Sequence, residues 1–296
     1  MRLAVFTKNR SNPAYGAARL GADRAAAAVG AEVRHYVPDT PDDPVQQSAL
    51  IERALQDPPD AFVISPVHAT RVNPALEKIA RAGIPMVGFV NPIPVGPSVS
   101  YIGADDVRLA DALAEYLFTH IAGDGSVLVV TGPADSVTSR DRLSGFMQAT
   151  ARHGGITIAG TLAGDYDRAV ARARTAAWLL SHSPPKACLV ANDIMAVGVL
   201  EALDDAGARA DVVGVNAIPE AIRAIADGRM LATANFNAMQ MANLATECAI
   251  RHLQGRPVPQ SLELPVEIVD GSNWSDLDRP YEDRPVLPLE HFWRHA

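Results

Sequence analysis

Short apolar runs rich in Val and Ile alternate with stretches of helical period along most of this 296-residue chain, and the alternation runs twice. "RLAVFT" (2–7), "EVRHYV" (32–37), "AFVIS" (61–65) and "PMVGFV" (85–90) have strand character, separated by helical stretches near 14–29, 45–56 and 73–82. After "SYIGADD" the rhythm restarts with "SVLVVT" (126–131), "ITIAGTL" (156–162), "KACLVA" (186–191) and "DVVGV" (211–215). Helical stretches near 106–121, 140–152, 168–181, 194–206 and 218–227 lie between them. Strands buried on both faces read as continuous apolar runs, so two parallel sheets covered by helices are expected. Each half also opens alike, with a strand, a polar loop and a helix: "VFTKNRSNPAYGA" and "VVTGPADSVTSRDRLSGF".

Composition narrows the function. A net charge of -8 opposes a phosphate backbone, and the 26 basic residues form no run, so no nucleic-acid partner is expected. Cys188 and Cys248 sit in apolar, helix- or strand-like contexts and fit two buried thiols better than a bridge or a metal site. No segment reaches the roughly 18–20 apolar residues of a membrane span, and "MRLAVFTKNR" is short for the apolar part of an export signal. The chain as it stands reads as soluble, and a native start at Met1 would place it in the cytoplasm. The motifs of dinucleotide binding, P-loops, hydrolase elbows and zinc hydrolases are missing, and Asp165 and Asp167 of "GDYDR" flank a Tyr without a partner acid. No enzyme, cofactor or metal is expected.

In open α/β sheets ligands bind outside the carboxyl ends of the strands. The loops there read "KNRSNPAY" (8–15), "SPVHATR" (65–71), "NPIPVGPS" (91–98), "GPADSVTSRDR" (132–142), "AGDYDR" (163–168), "NDIM" (192–195), "NAIPE" (216–220) and "ANFNAMQ" (234–240). Each Asn, Ser or Asp taken singly suits a turn or a helix cap. As a set, amides, carboxylates and a guanidinium beside Tyr and Phe suit a polyhydroxylated ligand, whose hydroxyls need donors and acceptors and whose C–H faces need aromatic rings.

"SNPAY", "PDAFVISP", "YIGADDVRLADALAEYL", "SRDRLSGFMQA", "DYDRAVA", "VANDIMAVGVLEAL" and "VVGVNAIPEAIRAIADGRMLAT" occur in this order, and over about residues 1–270 the chain resembles the ribose-type periplasmic sugar-binding proteins. The resemblance implies a type I periplasmic binding protein fold: two doubly wound α/β lobes joined by a three-segment hinge, with crossings near 103–105, 234–236 and 265–269. The implied lobes are 1–103 plus 237–264 and 104–236 plus 265–275, with 276–296 as a tail. The tail holds three prolines and three aromatics, with Trp274 just before it; packing over one lobe is the plain expectation for it, and partner binding the sharper one. The implied function is that of the solute receptor of an ABC-type sugar transporter, a periplasmic monomer that binds a small sugar or polyol and docks a membrane permease. The alternative is the ligand-sensing domain of a lac-repressor-like regulator or sensor, for which a dimer is expected.

Position by position, the resemblance implies ligand contacts from Asn12, Tyr15, Ser65, Asn91, Asp106, Arg142, Tyr166, Asn192, Asn216, Phe236 and Asn237. Capping competes with contact at Asn192, and either Asp105 or Asp106 could cap the helix that follows. Tyr15 and Tyr166 could equally be packing aromatics. The chain departs from the family at Val90-Asn91, where Asp-Arg is typical, and at Asn216, Phe236 and Ser65, where Asp, Gln and Asn are common. Ribose itself is therefore not implied; a related polyol, another sugar or a sugar derivative is.

Overall fold

The computed structural model describes residues 1–293. Two compact α/β units emerge, and the chain passes from one to the other at 104/105, 236/237, 265/266 and 280/281. The fourth passage comes from the C-terminal segment, whose residues from Tyr281 onward belong to the first unit, with residues 1–104 and 237–265.

The first unit contains β1 (Arg2–Phe6), α1 (Pro13–Ala27), β2 (Glu32–Tyr36), α2 (Pro44–Gln56), β3 (Ala61–Ile64), α3 (Asn73–Arg81), β4 (Met86–Phe89) and β5 (Ser98–Gly103). The second contains α4 (Asp106–His120), β6 (Asp124–Thr131), α5 (Val137–Arg152), β7 (Gly155–Ala163), α6 (Arg168–Leu179), β8 (Ala187–Val190), α7 (Asp193–Asp205), β9 (Asp211–Val215), α8 (Pro219–Ala226) and β10 (Ala232–Ala234). The chain then adds α9 (Ala238–Leu253) and β11 (Ser261–Glu263) to the first unit, β12 (Ile268–Asp270) to the second, and α10 (Leu289–Phe292) to the first.

The two sheets repeat one topology. The first runs β2-β1-β3-β4-β5-β11 and is parallel throughout. The second runs β7-β6-β8-β9-β10-β12, parallel except for β12, which pairs antiparallel with β10. In each the strand order reverses beside the unit's first strand, and the loops there diverge to leave a crevice. Burial explains why the central strands were readable: every residue of β3, β4 and β8 is buried. Around β1 and β3 the core packs Phe6 between Tyr36, stacked at 4.7 Å between centroids, and Phe62 at 5.7 Å. Ile51, Leu76, Ile79 and Met86 close the same cluster.

Glycine sets the helix packing at two equivalent places. A Cβ on Gly21 of α1 would lie 2.1 Å from the Met239 carbonyl oxygen of α9, and one on Gly145 of α5 would lie 2.2 Å from that of Val107 on α4. Both helix pairs approach to backbone contact, which no other residue type permits.

The C-terminal segment is fastened to α1 and α9. The Arg24 guanidinium donates to the Arg284 carbonyl at 2.7 Å, to that of Tyr281 at 3.3 Å and to that of Glu282. The Gln240 amide exchanges two 2.7 Å hydrogen bonds with the backbone of Leu287. Leu289 is fully buried and its N–H reaches Glu247 at 3.0 Å, while Glu290 pairs with Arg251.

Candidate functional site

All the residues singled out in the sequence fall at the carboxyl ends of strands or at the helix starts that follow. In the first unit Asn12 caps α1, accepting from the Ala14 N–H at 3.0 Å, while its own N–H donates to Asn9 Oδ1 at 3.0 Å. Pro13 then occupies the first helical position, where its missing donor costs nothing. Asn9 in turn donates to Asp42 at 3.0 Å, and the Lys8 ammonium lies 3.9 Å from the same carboxylate. Burial raises the Asp42 pKa, and Lys8 and Asn9 oppose that rise. Tyr15 is half-buried one turn into α1.

Ser65 follows β3 and Asn91 follows β4, and the two meet at Pro66. The Asn91 amide donates to the Pro66 carbonyl at 2.8 Å, and Gln47 clamps the same loop by donating to the Ser65 carbonyl at 3.0 Å and accepting from Val67 at 2.9 Å. The Ser65 hydroxyl and Asn91 Oδ1 are buried and take no hydrogen-bond partner among the described residues. Buried polar atoms are nearly always paired, so two unmet ones side by side in one loop cluster are informative. Between β4 and Asn91 stands Val90 at φ 65°, a rare conformation for a β-branched residue. It is the centre of a tight turn closed by Asn91 N–H to Phe89 carbonyl at 2.7 Å, and the Tyr101 hydroxyl donates to its carbonyl at 2.9 Å. Asn237, at φ 48°, caps α9 by accepting from Gln240 at 3.1 Å.

In the second unit the centre is Arg142, 3% exposed, on the second turn of α5. Its Nε donates to Asp106 Oδ1 at 2.7 Å, its Nη1 to the Ala191 carbonyl at 2.7 Å, and its guanidinium lies 4.7 Å above the Phe236 ring. Asp105 and Asp106 divide the roles left open by the sequence. Asp105 is exposed and caps α4 through Arg108 N–H at 2.9 Å, whereas Asp106 is buried against Arg142. Asn192 caps α7 through Met195 N–H at 3.0 Å. Tyr166 stands at φ 57° after Asp165 at 55°, with its ring over Gly132, where a Cβ would come within 2.4 Å. The Tyr166 hydroxyl meets Thr138 Oγ1 at 3.2 Å, and burial pushes the phenol's pKa up. Asn216, at φ 126°, is fixed by its N–H to the Ala234 carbonyl at 2.9 Å.

Arg142, Asp106, Phe236 and the end of β8 before Asn192 are thus one cluster, and Ser65 with Asn91 is another. Sequence reasoning passed over Lys8, Asn9, Ser136, Thr138 and Asp193. "KNRSNP" carried a signal for the first two, since a charged and an amide residue directly following a buried strand lie in the ligand-facing loop. Asp193 was hidden beside Asn192, because a helix N-terminus attracts Asp whatever its task.

Asp193 is expected to make the protein's stability respond to pH. It is fully buried, and burial pushes its carboxyl up to about 7, against the Thr233 and Ile218 hydrogen bonds that favour ionisation. A carboxyl raised in the folded state holds its proton more tightly there than in the unfolded chain. Stability is therefore greatest below the unfolded value near 4 and falls as pH rises towards about 7. A decline in Tm between pH 5 and 7 is expected in the native protein, with a visibly flatter profile in Asp193→Asn. Parallel profiles in thermal scans would refute the assignment.

The fold and these loop clusters define a bilobal solute-binding protein, and the chain belongs to the periplasmic binding proteins: the model of the periplasmic binding protein domain matches residues 3–257. Among curated relatives, the ribose import binding protein of Bacillus subtilis is 25% identical over 266 residues, covering 90% of this chain and 85% of that protein. A solved ABC transporter solute binding protein from Mycobacterium smegmatis, with bound glycerol, is 27% identical at a TM-score of 0.87, covering 95% of this chain and 97% of that one. The Caulobacter myo-inositol binding protein bound to myo-inositol is 25% identical at a TM-score of 0.87, covering 93% and 95%.

Proposed function

We propose that this protein is the solute receptor of an ABC-type importer, acting in the periplasm, and that it takes a small sugar, polyol or sugar derivative between its units and closes on it. The observation that carries the reading is the matching chemistry of the two loop sets. Each unit offers amides and hydroxyls at the carboxyl ends of a sheet with one topology, and Arg142 lies across an aromatic face. The charge of Arg142 is answered by Asp106, so amide, hydroxyl and aromatic surface remain for the ligand. Such a surface favours a neutral polyhydroxylated molecule. The relatives named for ribose and myo-inositol support the same class.

The reading is of a binder and not a catalyst. The buried carboxylates of the second unit are already engaged, Asp106 by Arg142 and Asp193 by Thr233 and Ile218. Domain closure fits the function because only a closed state lets both loop sets reach one ligand, and a ligand shifts the population by that difference in contacts. A thermal-shift screen of D-ribose, D-allose, xylitol, myo-inositol, glycerol and sugar acids tests it. A cognate ligand at 100 times its Kd stabilises by about 2.7 kcal/mol. That ligand is expected to reduce the radius of gyration in small-angle scattering; tight binding with an unchanged curve from a demonstrably open free form would sink the closure mechanism. A monomer in light scattering is expected of a receptor that docks a permease, whereas a tight dimer would point to a regulator or sensor.

A further inference from the structure

Asp193 begins α7 one residue after the capping Asn192, and it lies beneath the loop that joins β9 to α8. Its Oδ2 accepts from the Ile218 N–H at 3.1 Å and its Oδ1 from the Thr233 hydroxyl at 2.8 Å. The Thr233 oxygen also accepts from the Ala217 N–H at 3.3 Å. One carboxylate therefore ties three segments together: the start of α7, the β9–α8 loop and β10. Strand β9 leaves room for it, since a Cβ on Gly214 would lie 2.3 Å from Asp193 Oδ1.

The tied loop is one that does not hold its shape unaided. Asn216 at φ 126° and Ala217 at φ 51° are consecutive residues in backbone conformations that side-chain-bearing residues adopt only when their surroundings impose them. Asn216 sends its own N–H to Ala234 on β10, and the next two N–H groups are the ones that Thr233 and Asp193 receive. The strained turn is thus held at three successive backbone donors, two of them through the Asp193–Thr233 pair. A carboxylate placed only to favour a helix N-terminus would need neither the hydroxyl partner nor the distant loop.

We propose that Asp193 is a positioning residue for ligand binding: with Thr233 it fixes the Asn216 turn relative to Asn192, so that affinity depends on a buried acid side chain that never touches the ligand. The inference rests on the receptor reading for its functional part, while its structural part stands alone. Two readouts keep them apart. Amide hydrogen exchange, measured without ligand, follows Ala217 and Ile218 against the β8 strand in native protein, Asp193→Asn, Thr233→Val and Thr233→Ser. Exchange at the two turn amides is expected to rise at least tenfold more than at β8 in Asp193→Asn and Thr233→Val, and to stay near native in Thr233→Ser, which keeps the hydroxyl. Calorimetry with whichever of D-ribose, D-allose, xylitol or myo-inositol binds the native protein is expected to show affinity reduced at least tenfold in the first two and retained in the third. Turn amides that exchange no faster than β8 requires, or an affinity untouched by Asp193→Asn, overturn the proposal. If none of the four compounds binds native protein, the receptor reading loses its support for these ligands and the exchange data decide the positioning. Should Asp193→Asn not fold, the Thr233→Val and Thr233→Ser pair decides by the same criteria.

Discussion

Replacing Arg142 with Ala is expected to abolish ligand binding and also to lower folding stability by about 3–5 kcal/mol. The second effect follows from burial. Arg142 and Asp106 are 3% and 6% exposed, and removing the guanidinium takes from a buried carboxylate the cation that answers its charge. The Ala191 carbonyl loses its donor as well, and the Phe236 ring loses the cation above it. A distinctive corollary separates the two effects. Pairing Arg142→Met with Asp106→Leu removes both charges, and buried ion pairs exchanged for apolar residues of similar volume usually recover stability. The double variant should regain most of the lost stability in urea denaturation while binding stays absent. If Arg142→Ala bound ligand with unchanged affinity, the site assignment would be wrong; if it melted like native protein, the buried pair would carry none of the stability ascribed to it.

Ending the chain after Pro280 is expected to destabilise the first unit by about 2–4 kcal/mol. Burial of Leu289 contributes about 1.5–3 kcal/mol. The hydrogen bonds between Gln240 and Leu287 and those from Arg24 add to it, and the entropy of ordering the segment opposes them, so the net effect stays on the scale of the Leu289 burial. Glu290 is half exposed, so its pair with Arg251 adds little by itself. Its loss nevertheless strips one partner from a residue that is 8% exposed and whose guanidinium Nε is already buried without one among the described residues. An unchanged urea midpoint would show that the segment is an accessory and not part of the first unit's fold.

The parts of this architecture that were legible in the sequence are those where one physical rule governs a whole stretch. β3, β4 and β8 are buried on both faces, so their apolar runs announced themselves, and the restart after "SYIGADD" gave the second sheet. β5, β10, β11 and β12 were not read as strands. The last three have three residues each, and β5 is a mixed "SVSYIG" whose Ser100 is nevertheless buried. Too few residues alternate there for a period to show. The start of α5 came three residues earlier than its apolar pattern suggested, because Thr138 and Ser139, polar but buried, face inward.

The candidate site divides in the same way. Residue types at strand ends were readable only as a set, because singly they also serve the helices: Asn12, Asn192 and Asn237 all cap one. Backbone strain was not. Val90, Tyr166, Asn216 and Ala217 all stand at positive φ without glycine, and nothing in their identities reveals it. Those conformations are imposed by contacts distant in sequence, from Tyr101 to Val90 and from Thr233 to Ala217. The division of labour between Asp105 and Asp106 was hidden for a similar reason: neighbouring carboxylates at a helix start are chemically equivalent until Arg142, 36 positions away, selects one.

The fourth passage of the chain, at 280/281, has a consequence of parity. A path that changes bodies an even number of times finishes in the body where it began, so Met1 and Trp293 both belong to the first unit and the second is held entirely by interior sequence. A dye carried at Met1 and one carried at Trp293 are therefore attached to the same body. Two dyes at those positions would be blind to any rotation of one body against the other, however large. A reporter that registers it needs one label in the interior of the sequence, and Leu180, 89% exposed in the second unit, is a position where a cysteine could carry it.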